Sequence, residues 1–155
     1  MERLDLWFES IQQWYENKET RQFDSLANLL SATPATLFSS PITQEKSDAI
    51  AYFVDACHLL QRHYQHIDRV DDAYSYMQYC YAKLQALASD TQAESDVKRW
   101  SLKKLDQCIV TMMEFCQHQG KDSWLRESEQ LVELHITFML GQNERNLHLA
   151  QDISR

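Results

Sequence analysis

Only two glycines and two prolines occur in 155 residues, and that scarcity constrains the fold more than any other feature of the chain. A sheet-rich or α/β chain reverses direction many times, through turns that draw on residues with positive φ or a pre-set φ. Long helices joined by a few short connections make no such demand. Gly120, Gly141, Pro34 and Pro41 all stand between runs of helical periodicity rather than within them. The chain therefore reads as all-α.

Six segments carry the periodicity of amphipathic helices. In the first, about residues 3–17, Leu4, Trp7, Phe8, Ile11, Trp14 and Tyr15 share one face, and the aromatic majority predicts a large buried area. The second, about 21–31, turns Phe23, Leu26, Leu29 and Leu30 inward. An irregular stretch with both prolines follows and ends in Ser40-Pro41, a pairing suited to a helix start. The third helix, about 43–67, carries Ile50, Phe53, Val54, Cys57, Leu60, Tyr64 and Ile67. Asp71 is placed to cap the fourth, about 72–89, whose stripe is Ala73, Met77, Cys80, Tyr81, Leu84 and Leu87. The fifth, about 92–119, presents Val97, Trp100, Leu105, Ile109, Met112 and Cys116, and Gly120 stands where a terminating glycine belongs. The sixth, about 122–140, presents Leu125, Ser128, Val132, His135, Ile136 and Met139, with Gly141 as a second stop signal. Residues 1–141 thus read as one domain, a bundle of about six antiparallel helices. Residues 142–155, with Leu147, Ala150 and Ile153, read as a tail or a short helix.

Short connections make consecutive helices antiparallel neighbours, which suits a bundle or a helical-hairpin array. One hairpin resembles a tetratricopeptide repeat: Leu60, Tyr64 and Ala73 keep its Leu-x3-Tyr-x8-Ala spacing, and Cys80 takes its later small position. Cys57, Gln61 and Gln85 stand where that motif has Trp, Gly and Pro. No second copy follows at the roughly 34-residue offset of such arrays.

The charge balance, 23 acidic against 15 basic residues for a net −8, repels a phosphate backbone and an anionic membrane surface alike. The densest basic group, Lys98, Arg99, Lys103 and Lys104, is interrupted by Trp100 and Leu102 and reads as an ordinary helix. No nucleic acid and no membrane are expected as partners; a protein with a basic surface, or a second copy of the chain, is. The charged N-terminus lacks the apolar core of a secretory signal, and no apolar run approaches the roughly 20 residues that span a bilayer. Cys57, Cys80, Cys108 and Cys116 show no C-x-x-C spacing and fall in helical patterns, as buried thiols do in a reducing compartment. A cytoplasmic protein is expected.

Enzymatic signatures are missing from the sequence: it has no glycine-rich phosphate loop, no G-x-S-x-G elbow and no paired catalytic carboxylates. His63 and His66 sit at i, i+3 and could approach one metal ion or a small ligand, but structural zinc takes three or four ligands. Glu114 and His118 at i, i+4 read as a surface pair. Cys108, Met112 and Cys116 share a face with Leu105 and Ile109, which makes them core. No catalytic residue, metal or cofactor is expected. The feature that points to a function is a second apolar face. Tyr52 and Leu59 lie opposite Cys57 on the third helix, and Tyr79, with Tyr76 at the boundary, lies opposite Met77 on the fourth. Such a face is either sandwiched inside the bundle or covered by a partner. Tyr52, Leu59, Tyr76 and Tyr79 are accordingly the candidate surface of a non-enzymatic interaction module, a regulatory adaptor, antiactivator or chaperone-like binder. A bundle that holds a small molecule or metal near His63 and His66 is the alternative.

Overall fold

A computed structural model describes residues 3–17 and 21–153, with side chains through Gln142. Among the described residues there are six α-helices and no strand: α1 (Leu4–Glu16), α2 (Phe23–Ser31), α3 (Gln44–His66), α4 (Val70–Ser89), α5 (Ser95–His118) and α6 (Asp122–Ile153), with one turn of 3-10 helix at Ala35–Phe38. None of the helices is long and apolar enough to cross a membrane, among the same residues. None of the four cysteines forms a disulfide; three are buried and Cys108 is half-buried.

The ends of the helices show how the chain turns with so few special residues. α3 starts at Gln44, not at Ser40-Pro41, because the Thr43 hydroxyl accepts the Lys46 N–H and caps the first turn. It ends in a Schellman motif, with the Arg69 N–H on the Tyr64 carbonyl at 2.8 Å and the Asp68 N–H on that of Gln65 at 3.1 Å. Asp68 takes the left-handed position, φ 58°, that a glycine commonly fills. The turn into α4 is therefore two residues earlier than Asp71 suggests. Asp71 lies inside the first turn of α4, where it faces the helix dipole without capping it. Gly120, at φ 68°, closes α5 as its position predicts. Gly141 closes nothing: α6 runs through it, and the stretch expected as a tail or short helix continues the same helix to Ile153.

The chain forms two compact units, Met1–Ser101 and Leu102–Arg155, with the boundary inside α5. In the first, α3 is central. The antiparallel α3–α4 hairpin is its most extensive packing, with Phe53, Cys57, Leu60 and Tyr64 buried on one helix and Ala73, Met77, Cys80, Leu84 and Leu87 on the other. Leu60, Tyr64, Ala73 and Cys80, the positions shared with the tetratricopeptide pattern, are all buried in it. Helices α1 and α2 are joined by two indoles: Trp7 donates to the Leu29 carbonyl at 2.7 Å and Trp14 to that of Gln22 at 2.9 Å. Both rings are buried, and their N–H groups are satisfied. Leu37 and Phe38 of the 3-10 turn are buried, and Phe38 meets Phe53 edge-on at 4.9 Å.

In the second unit, α6 meets the end of α5. Phe115 lies edge-on to Trp124 at 5.7 Å, and His135 Nε2 is 2.8 Å from Asp106 Oδ1. The buried or half-buried line of α6 is Trp124, Ser128, Leu131, His135, Phe138 and Gln142, an unbroken i+4, i+3 alternation. That seam shares Ser128 and His135 with the expected stripe but departs from it elsewhere, Val132 and Met139 being half-buried beside it. Ser128 and His135 are buried, but Leu125 and Ile136 are exposed.

Candidate functional site

The four residues singled out by the second-face argument do not form one surface. Tyr52 and Leu59 are half-buried on the side of α3 that carries Ala56, which is fully buried. Phe8 and Tyr15 of α1 lie edge-on to Tyr52 at 5.6 and 5.1 Å, so α1 lies against this face. Tyr76 stacks flat on Tyr64 at 5.6 Å, and burial together with the neighbouring Tyr64 pushes its hydroxyl up to about 12. Tyr79 meets Phe53 edge-on at 5.3 Å and donates to the Leu30 carbonyl at 3.0 Å; burial raises its pKa as well. Helix α3 is thus sandwiched, α4 on one side and α1 with α2 on the other, and the tyrosines do much of the joining.

His63 stacks on Phe23 of α2, ring centroids 4.1 Å apart and nearly parallel, and lies edge-on to Tyr64. His66 is exposed one turn on. Among the described residues no three His, Cys, Asp or Glu side chains converge as a metal site. Met112 and Cys116 are buried and Cys108 half-buried, in line with packing, while Glu114 and His118 are exposed.

Two places carry features that packing does not use up. The first is an open cleft of about 630 Å³ along α1 and α2. Its walls hold Gln13, Asn17, Gln22 and Asn28 with the hydroxyls of Ser10 and Ser25, and among the described residues that line it Arg21 is the one with a formal charge. The Arg21 guanidinium lies over Trp14 at 5.1 Å and Tyr15 at 5.7 Å and donates through Nη2 to the Tyr15 carbonyl at 3.1 Å. Its Nε is buried with no acceptor among the described residues, a state that costs about 1–3 kcal/mol. No carboxylate pairs with it among them either. Asp55 of α3 is engaged elsewhere, accepting the Tyr15 hydroxyl, which burial and that carboxylate together hold well above the usual phenol range.

The second is the outer row of α6: Leu125, Ile136 and Leu140, which are exposed, with Val132 and Met139, which are half-buried. At 100° per residue it runs about 100° around the helix from the seam. Leu125, Ile136 and Leu140 are 41%, 52% and 58% exposed, while the seam beside them buries Ser128, His135 and Gln142. A helix that buries polar side chains and shows large aliphatic ones inverts the usual arrangement. Exposed Glu129 and Glu133 border the row, and from Asp122 to Gln142 the helix carries four acidic residues and one basic, Arg126. Hydrophobic periodicity finds Leu125, Val132, Ile136 and Met139 in the sequence; what it misses is that Leu125 and Ile136 face outward. Arg21 gives no sequence signal at all, being one isolated basic residue.

No curated protein and no solved structure matches the chain. Residues 15–143, from the last two residues of α1 through the described side chains of α6, match the family described as a protein of unknown function, DUF2753, and the chain belongs to that family.

Proposed function

We propose that this protein is a non-enzymatic interaction module whose outer α6 row receives an amphipathic helix of another, basic protein. The observation that carries the reading is the exposure of Leu125, Ile136 and Leu140 on a helix whose buried seam is partly polar. From Leu125 to Leu140 the row is about 22 Å long at 1.5 Å per residue, enough for about four turns of a partner helix. Charge selects the occupant. Two copies of α6 laid together would set Glu129 and Glu133 against the same acidic flank, whereas Lys or Arg beside an apolar stripe would complement it.

The double variant Ile136→Ser, Leu140→Ser tests this. Both side chains are more than half exposed, so the thermal midpoint should shift by no more than about 1 kcal/mol equivalent. A partner captured and crosslinked by the wild-type protein should be lost, with the wild-type crosslinks mapping to a basic amphipathic segment. Binding should weaken as salt rises. Sedimentation that shows a dimer broken by the same variant would replace the partner with a second copy. Unchanged capture by the variant would remove α6 from the interface.

A further inference from the structure

We infer that the α1–α2 cleft is a second binding site, for the free C-terminal carboxylate of an extended peptide, with Arg21 as the residue that takes the carboxylate. The cleft lies within the size range of ligand sites. Among the described residues that line it Arg21 alone carries a formal charge, with the carboxylates of Glu9, on the Gln13 amide, and Asp24, beside Ser25, outside the lining. Arginine partly withdrawn from water is normally matched by a carboxylate, and its fork is shaped for one. Here Trp14 and Tyr15 hold the guanidinium in place, one carbonyl takes one N–H, and Nε has no acceptor among the described residues. A bound carboxylate would supply the missing counter-charge.

The rest of the lining identifies what the carboxylate is attached to. Asn17 and Asn28 each offer a donor and an acceptor on one amide, and Gln13, whose amide nitrogen donates to Glu9, offers its carbonyl oxygen, a set that complements the alternating N–H and C=O groups of an extended peptide. A small inorganic anion would leave these groups unused. The site is independent of the outer α6 row, and either can fail without the other.

The test immobilises the full-length protein and offers two pools of randomised N-acetylated hexapeptides, one ending in a free carboxylate and one in a carboxamide. The acid pool should be retained at least about tenfold over the amide pool, and Arg21→Gln should abolish the difference. Because Arg21 also braces the end of α1, Ser25→Glu provides a second variant. It sets a carboxylate in the exposed first turn of α2, where the helix tolerates it, and should neutralise the cleft without disturbing the Arg21 packing. Its thermal midpoint should match wild type while acid-pool retention falls to the level of the amide pool. Equal retention of the two pools, no retention of either, or full retention by the Ser25→Glu variant would overturn the assignment. So would saturable binding of inorganic phosphate with no preference for the acid pool, which would make the site a phosphate site.

Discussion

One carboxylate holds the proline-bearing connection between α2 and α3 to the end of α4. Asp90 accepts the Ser40 N–H at 2.9 Å, the Ser40 hydroxyl at 2.8 Å and the Gln92 N–H at 2.9 Å. The Gln92 and Ser40 donors hold its pKa below the usual carboxylate range. A group with a depressed folded pKa contributes stability above its unfolded pKa and loses it as pH falls through the folded one. Asp90→Ala should therefore cost no more than about 1 kcal/mol at pH 7, since solvent screens a carboxylate so near the surface, and denaturant midpoints should show the gap to wild type closing below about pH 4. A gap that stays constant down to pH 2.5 would mean that the charge is not what holds the loop. Asp68 shows the limit of reading a turn from one residue. The short Asp-rich connection marks the turn, but only the Schellman hydrogen bonds show that Asp68, not Asp71, does the turning, because Asp tolerates the left-handed region better than most non-glycine residues.

At the scale of the helix, aromatic content decided what was legible. The stripe of α1 is read correctly from spacing, since Trp7, Ile11 and Trp14 are all buried. Trp7→Ala should cost about 3–5 kcal/mol, and Trp7→Phe, which keeps most of the ring but leaves the Leu29 carbonyl without its indole donor, about 1–2 kcal/mol. Equal losses for the two, measured by chemical denaturation, would assign the whole effect to the hydrogen bond. The second face of α3 reads as a partner surface only while α1 is considered separately. Phe8 and Tyr15 sit at the edge of the α1 stripe, and they are the rings that meet Tyr52. On α6 the expected stripe is right at Ser128 and His135 and wrong at Leu125 and Ile136, for a different reason. The two rows of this helix share the same heptad rhythm, and hydrophobicity alone favours Leu125, Val132, Ile136 and Met139. The seam that packs alternates Trp124, Leu131 and Phe138 with Ser128, His135 and Gln142, so its mean hydropathy is diluted. Large aromatics set the packing direction there, and polar partners such as Asp106 satisfy what lies between.

At the scale of the molecule, the two units differ in what they bury. Met1–Ser101 buries Ile11, Leu26, Leu30, Leu37, Phe53, Leu60 and Leu84 completely, whereas three of the buried side chains of Leu102–Arg155 are Ser128, His135 and Gln142. Apolar burial at roughly 25 cal/mol per Å² is the main source of stability, and a satisfied polar contact contributes far less than the aliphatic contact it displaces. The second unit should then open at a lower free energy than the first, as a separate cooperative step. Native-state hydrogen exchange read by mass spectrometry checks this. Peptides from α3 and α4 should report the highest opening free energy and share one denaturant dependence, while peptides covering 122–142 exchange through a smaller opening with a shallower slope. Replacing His135 by Leu should narrow the difference if the polar seam is its cause, at the expense of the Asp106 contact. If α6 exchanges with the same free energy and slope as α3, the chain unfolds as one cooperative body and the polar seam has no separate energetic consequence.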